Sequence, residues 1–140
     1  MDKIKFSTIC LDGIDKTGKD TLLRYIFYLS NKKYLCNARG IMTMIAYSKL
    51  YHREFEYSLD GQENIINILL TADEEDWKIR CKYTSEPEID YKKNIEAFEY
   101  AYQLLQNENK PVLRYNTSEL TPYQIAKLII KEMERKNDIY

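Results

Sequence analysis

The stretch from Gly13 to Thr21 (GIDKTGKDT) constrains this chain more than any other. It follows Ile4 to Leu11 (IKFSTICL), an apolar run with β-branched residues that reads as a buried strand. It precedes Leu22, Leu23, Ile26, Phe27 and Leu29, which recur at helical spacing up to about Ser30. Two glycines in this stretch, with a lysine after the second, let a backbone wrap so that its amides point inward. The helix that follows adds its positive N-terminal end. Such a turn between a buried strand and a helix is a cradle for phosphate oxygens, with Lys19 reaching the distal phosphates of a nucleotide. The expected phosphate contacts are Gly13, Ile14, Asp15, Lys16, Thr17, Gly18, Lys19, Asp20 and Thr21. At the position where a hydroxyl usually holds Mg²⁺ stands Asp20, with Thr21 next to it. Either could supply the metal ligand, a carboxylate at the cost of repelling the phosphates.

The rest of the chain repeats the alternation. Lys33 to Asn37 is a short strand candidate and Ile41 to about His52 a helix with Met42, Ile45, Ala46 and Leu50 on one face. Asn64 to Leu70 (NIINILL) is a second strong strand, and a helix follows from Asp73 through Trp77 towards Cys81, with Thr71 or Asp73 able to cap it. Lys82 to Glu88, polar and containing Pro87, reads as a mobile loop. A helix from Asp90 to about Gln106 presents Ile95, Phe98, Ala101, Tyr102 and Leu105 inward. Pro111 to Tyr115 is another strand, and Thr121-Pro122 opens a last helix with Ile125, Leu128, Ile129 and Met133 on its apolar face. Lys131 to Asp138 reads as its solvated, fraying end. Strands alternating with helices imply an α/β fold of three layers, a small parallel sheet of about three to five strands covered on both faces. Ligands bind such sheets beyond the carboxyl ends of the strands, where the loop after Leu11 falls.

With 140 residues the chain has the size of one domain, residues 1–140. The charge is balanced, 21 basic against 22 acidic residues, so there is no footprint for bulk duplex DNA or an anionic membrane. That argues against nucleic acid as a partner while leaving a local basic pocket open. Cys10, Cys36 and Cys81 are odd in number and widely spaced, as expected of reduced cytoplasmic thiols. No run approaches the roughly 20 apolar residues of a membrane span.

Leu11 to Lys19 (LDGIDKTGK) resembles the F-E-G-x-D-x-x-G-K start of thymidylate kinases and related deoxynucleoside monophosphate kinases, P-loop enzymes that pass the γ-phosphate of ATP to a nucleoside monophosphate. Asp12 takes the Glu place. Asp15 matches an acid that in the family sits by the acceptor sugar and phosphate. Ala38 to Ser48 (ARGIMTMIAYS) resembles the family's D-R-Y-x-x-S-x-x-A-Y-Q, with Arg39, Ala46 and Tyr47 in register. Ile68 to Asp90 resembles the strand, helix and lid, with Arg80 as the lid cation, and Val112 to Pro122 the final strand and helix. The resemblance implies Mg-ATP-dependent transfer to a deoxynucleoside monophosphate in a minimal, phage- or virus-sized member. Lys19, Arg39 and Asp15 would carry catalysis; Gly13 to Thr21 and Arg80 would hold ATP. Asp12, Asp15, Arg39 and Tyr47 would hold the acceptor, and Asp20 and Thr21 the Mg²⁺. Relatives commonly pair through helices, which leaves a homodimer open. Three features depart from the pattern. Ala38 stands where the family carries aspartate, only about eight residues separate the first helix from Arg39, and the lid is poor in arginine, with Lys78, Arg80 and Lys82 its cations near the expected place. A nucleotide-binding protein without transfer activity, or a kinase of a nucleic-acid terminus or modified base, are the alternatives.

Overall fold

The computed structural model describes residues 5–14, 17–52, 54, 58–84 and 90–137. Four strands, β1 (Thr8–Asp12), β2 (Leu35–Ala38), β3 (Ile65–Thr71) and β4 (Val112–Asn116), form one all-parallel sheet in the order β2-β1-β3-β4. Five helices connect them: α1 (Lys19–Leu29), α2 (Ile41–Tyr51), α3 (Glu74–Thr84), α4 (Tyr91–Asn107) and α5 (Pro122–Lys136). The chain leaves β1 for β2 on one side and returns past it to β3 on the other, so the strand order reverses at β1. That is the point where a parallel sheet opens a crevice.

Each sheet face has its own apolar cluster. Ile9, Leu11, Ile66, Ile68 and Leu70 pack with Leu22 and Ile26 of α1 and with Ile125, Ala126, Ile129 and Met133 of α5. On the opposite face Leu69 joins Met42, Ile45 and Ala46 of α2, Trp77 and Cys81 of α3, and Phe98, Ala101 and Leu105 of α4. These are the three layers expected from the alternation. Trp77 is core, and its ring tilts against Tyr91. All three cysteines are free thiols. Among the described residues no helix is long and apolar enough to cross a membrane.

Several local expectations are corrected. Residues 5–7 precede the strand, which begins at Thr8 and runs on to Asp12; Ile4 lies outside the described residues. Phe6 gives its N–H to Asn137 Oδ1 (2.6 Å) and accepts from Asn137 Nδ2 (2.9 Å), so its backbone binds the end of α5 instead of a strand. The same two bonds overturn the fraying end over residues 131–137, because the tract is helical to Lys136, buries Met133 and is closed by Asn137; Asp138 lies outside the described residues. Lys82, Tyr83 and Thr84 belong to α3 and not to a loop; residues 85–88 of that expected loop lie outside the described residues. Phe27, Leu29 and Leu128 stay about 40 % exposed. Phe27 and Leu128 each sit one residue, about 100° of helix, from a buried stripe residue, and Leu29 shares with Leu128 a groove that covers neither fully. The caps of the two long helices follow sequence logic. Asp90 accepts from Lys93 N, and Thr121 and Gln124 form a reciprocal capping box with Pro122 at the first turn.

Candidate nucleotide site

Beyond β1 the chain turns through Gly13 at φ 144°, against β3. A Cβ there would run into the carbonyl oxygen of Leu70, so only glycine lets the loop pass. Ile14 plugs the loop into the core, and buried Thr17 donates through Oγ1 to Ile14 O (2.9 Å). Gly18, left-handed at φ 82°, then starts α1 without a side-chain cap, so the first amides of the helix face the loop. Lys19 Nζ reaches back to Gly13 O and Ile14 O, both at 2.9 Å. The ammonium thus stands within the turn that the sequence marked out, held by two of its carbonyls. Asp20 and Thr21 lie on the first turn of α1, both exposed beside the loop. Asp15 and Lys16 lie outside the described residues.

Asp12, the last residue of β1, is wholly buried. Its Oδ1 accepts from Gly40 N (2.6 Å), Thr43 N (3.0 Å) and Thr43 Oγ1 (2.5 Å). Asp12 therefore caps α2 from the neighbouring strand, where the positive end of the helix favours a carboxylate. Burial nevertheless pushes its pKa up, outweighing the bonds from Thr43 and Gly40 and the nearby Lys19 charge. Its Oδ2 is buried with no hydrogen-bond partner among the described residues. Between Ala38, which pairs with Leu11, and Gly40 stands Arg39 at φ 73°, its N–H bonded to Leu11 O at 2.7 Å. A left-handed arginine is a strained conformation that persists only where its surroundings fix it, here by Leu11 on one side and Asp12 on the other.

Arg39 and Tyr47, expected from the sequence to hold an acceptor, line one cleft of about 580 Å³ between α2 and the β2–β1–β3 face of the sheet. Tyr47 is half-buried and packs edge-on against Phe98 and Tyr51, so it serves the core as well as the cleft. The floor carries residues that sequence reasoning missed: Asn37, Cys10 and Asn67, paired across the strands, with Gln62 above them. The signal was present, because Asn67 interrupts an otherwise apolar strand. Cys10 stays a thiol, its pKa pushed up to about 11 by burial and by Asp12, against a bond from Asn37.

Arg80 on α3 donates to Thr117 Oγ1 (3.1 Å) and Thr117 O (3.4 Å) in the β4–α5 connection. That connection is tied back to the end of β3: Thr117 N and Oγ1 bond Thr71 O, and Asn116 Nδ2 bonds Asp73 Oδ1 at 3.0 Å. Asp73 N in turn donates to Ser118 Oγ at 2.8 Å. Arg80 thus lies on α3 beside the β4–α5 connection.

Among the described residues no cluster of three or more His, Cys, Asp or Glu could hold a metal by itself. Mg²⁺ that arrives with nucleotide phosphates needs only one or two protein oxygens. The carboxylate of Asp20 and the hydroxyl of Thr21, next to Lys19 in the chain, fit that requirement.

No protein-family profile and no curated protein sequence matches this chain. Solved structures do. The YorR protein of Bacillus subtilis, in complex with phosphorylated GDP, superposes with a TM-score of 0.73 at 15% identity, covering 96% of this chain and 99% of YorR. Thymidylate kinase from Candida albicans superposes with a TM-score of 0.58 at 12% identity, over 97% of this chain and 94% of the kinase. The chain is similar to both along nearly its whole length, and its α/β fold is the one they share.

Proposed function

We propose that this protein is a Mg-ATP-dependent nucleotide kinase that passes the γ-phosphoryl group of ATP to a deoxynucleoside monophosphate. One observation carries the reading: Lys19 in its loop and Arg39 at a cleft stand beyond the carboxyl ends of the adjacent strands β1 and β2. Donor and acceptor phosphates held at those two points face each other across the crevice. In the transfer an acceptor phosphate oxygen bonds to the γ-phosphorus while the bond from that phosphorus to the β–γ bridging oxygen breaks, releasing ADP. The protein's task is positioning and charge compensation. Loop amides and Lys19 hold the β- and γ-phosphates, and Arg39 holds the acceptor phosphate with its planar fork. Asp20 or Thr21 would hold Mg²⁺, which would offset phosphate charge when bound. Arg80, steadied by Thr117, would help to hold the ATP phosphates, and Asp15 would lie by the acceptor sugar.

ATP consumption measured with each deoxynucleoside monophosphate, with an oligonucleotide and with neither tests the reading. Activity with a monophosphate is expected, and Arg39→Ala should lower kcat/KM for it about 100-fold, or roughly 3 kcal/mol, with ATP affinity nearly unchanged. Ala38 favours a second reading, a nucleotide-binding protein without transfer. ATP binding with no monophosphate bound or phosphorylated would establish it in place of the first. Phosphorylation of the oligonucleotide alone would point to a nucleic-acid terminus as the acceptor.

A further inference from the structure

The floor of the Arg39 cleft is polar where a packed sheet face would be apolar. Asn67 has no exposed surface, yet its Oδ1 lacks a hydrogen-bond partner among the described residues. An orphaned buried acceptor is costly, and a buried aliphatic residue at this position would not incur that cost. Asn67 Nδ2 donates to Gln62 Oε1 at 3.0 Å, which fixes the half-buried Gln62 amide with its Nε2 as the remaining group. The joined pair thus offers the cleft one donor, Gln62 Nε2. A nucleobase edge carries the complement, a carbonyl or ring nitrogen.

Position supports the same ligand. Asn67 sits on the rung shared with Cys10 and Asn37, two residues before Arg39 along the sheet. At a strand rise of about 3.3 Å per residue and a strand spacing of about 4.8 Å, Asn67 on β3 lies roughly 6.6 Å below the arginine and roughly 9.6 Å to its side. The two ends of the cleft are thus far enough apart to take a phosphate at one and a base at the other. We propose that Gln62, oriented by Asn67, reads the base of the acceptor nucleotide. Gln62 Nε2 donates to a carbonyl or ring nitrogen of the base, while Asn67, which has no exposed surface, holds the Gln62 amide from below. The inference rests on the acceptor reading given above and adds the groups that tell a nucleotide from a bare sugar phosphate.

The test compares KM for deoxynucleoside monophosphates with KM for deoxyribose 5-phosphate, which offers phosphate and sugar but no base. Gln62→Glu keeps the oxygen that Asn67 bonds and removes the donor; Gln62→Met removes both. Each variant should raise KM for the nucleotides about tenfold or more, leave KM for deoxyribose 5-phosphate unchanged, and keep Tm close to the wild type. A purely structural Gln62 would shift Tm, or both KM values together, and that result overturns the inference, as does an unchanged ratio in both variants. If one variant does not fold, the other decides. Calorimetry separates the two levels of the reading. Monophosphate binding whose dependence on the base ignores Gln62 overturns this inference alone, whereas ATP binding without any monophosphate binding overturns the acceptor reading and this inference with it.

Discussion

Replacing Asp12 by alanine should destabilise the protein by about 2–4 kcal/mol, the net of a lost cap and unpaired donors against relief of a buried carboxylate. The carboxylate accepts three hydrogen bonds at the start of α2, and alanine leaves the N–H groups of Gly40 and Thr43 and the Thr43 hydroxyl without that acceptor. Loss of a helix cap costs about 1 kcal/mol, and each buried donor left unpaired about 1–3 kcal/mol. Against this stands relief of burying a carboxylate, already visible in the raised pKa. For a domain of this size the net corresponds to a fall in Tm of about 6–14 °C. Asp12→Asn keeps an acceptor and should cost less. This variant and the wild type should also differ in pH dependence. Because the folded pKa is raised by burial, the carboxyl group contributes its full stability below the unfolded value of 3.8. That contribution is lost as pH rises through the folded value, since the unfolded chain then ionises more readily. The amide introduced by Asp12→Asn cannot ionise, so the gap between the variant and the wild type should narrow as pH rises through that window. Thermal unfolding followed by circular dichroism across pH measures both effects. A shift below about 2 °C for Asp12→Ala, or a gap for Asp12→Asn that does not change with pH, would refute the assigned role.

Lys19→Ala should weaken ATP binding by roughly 2–4 kcal/mol in a protein that still folds, because the partly exposed ammonium bonds carbonyls of its own loop and so stabilises the fold little. Titration calorimetry reads this directly, and unchanged affinity in a folded variant would remove the phosphate-loop reading. Asn137→Ala removes both bonds to Phe6 and should cost about 1–2 kcal/mol in urea unfolding. No change would mean that the fraying end expected from the sequence was the better description.

The alternation of apolar runs and helical stripes was legible because each is a local property. Leu35–Ala38, Ile65–Thr71 and Val112–Asn116 all fall within a residue or two of where period and turn residues put them. The glycine turn between β1 and α1 was legible for the same reason, as one unbroken run of residues. What escaped depends on contacts between distant parts of the chain. Asp12 and Thr43 lie 31 positions apart, and Phe6 and Asn137 lie 131 apart. Nothing in the charged tract Lys131 to Asp138 announces that its asparagine will close on the other end of the chain. Asn67 and Gln62 are a middle case. They are near in sequence, but their meaning depends on α2 and on Arg39, whose positions only the fold supplies.

That dependence also bears on Ala38, the feature that sets this sequence apart from the family it resembles. Ala38 pairs with Leu11, one residue short of Asp12, so the two positions lie at the same end of neighbouring strands. The start of α2 needs a carboxylate to accept its first amides, and Asp12 provides one from β1. An acid at position 38 is therefore not needed to cap the helix. Nor does transfer to a monophosphate require a strong base there, since the second phosphate pKa is about 6 and the attacking oxygen is already largely ionised at neutral pH. The remaining demand of the proposed transfer is that Arg39 be held still. Leu11 and Asp12 meet it by fixing the backbone on both sides of the left-handed Arg39. Loss of the motif's aspartate is thus compatible with phosphoryl transfer, provided that Asp12 is retained.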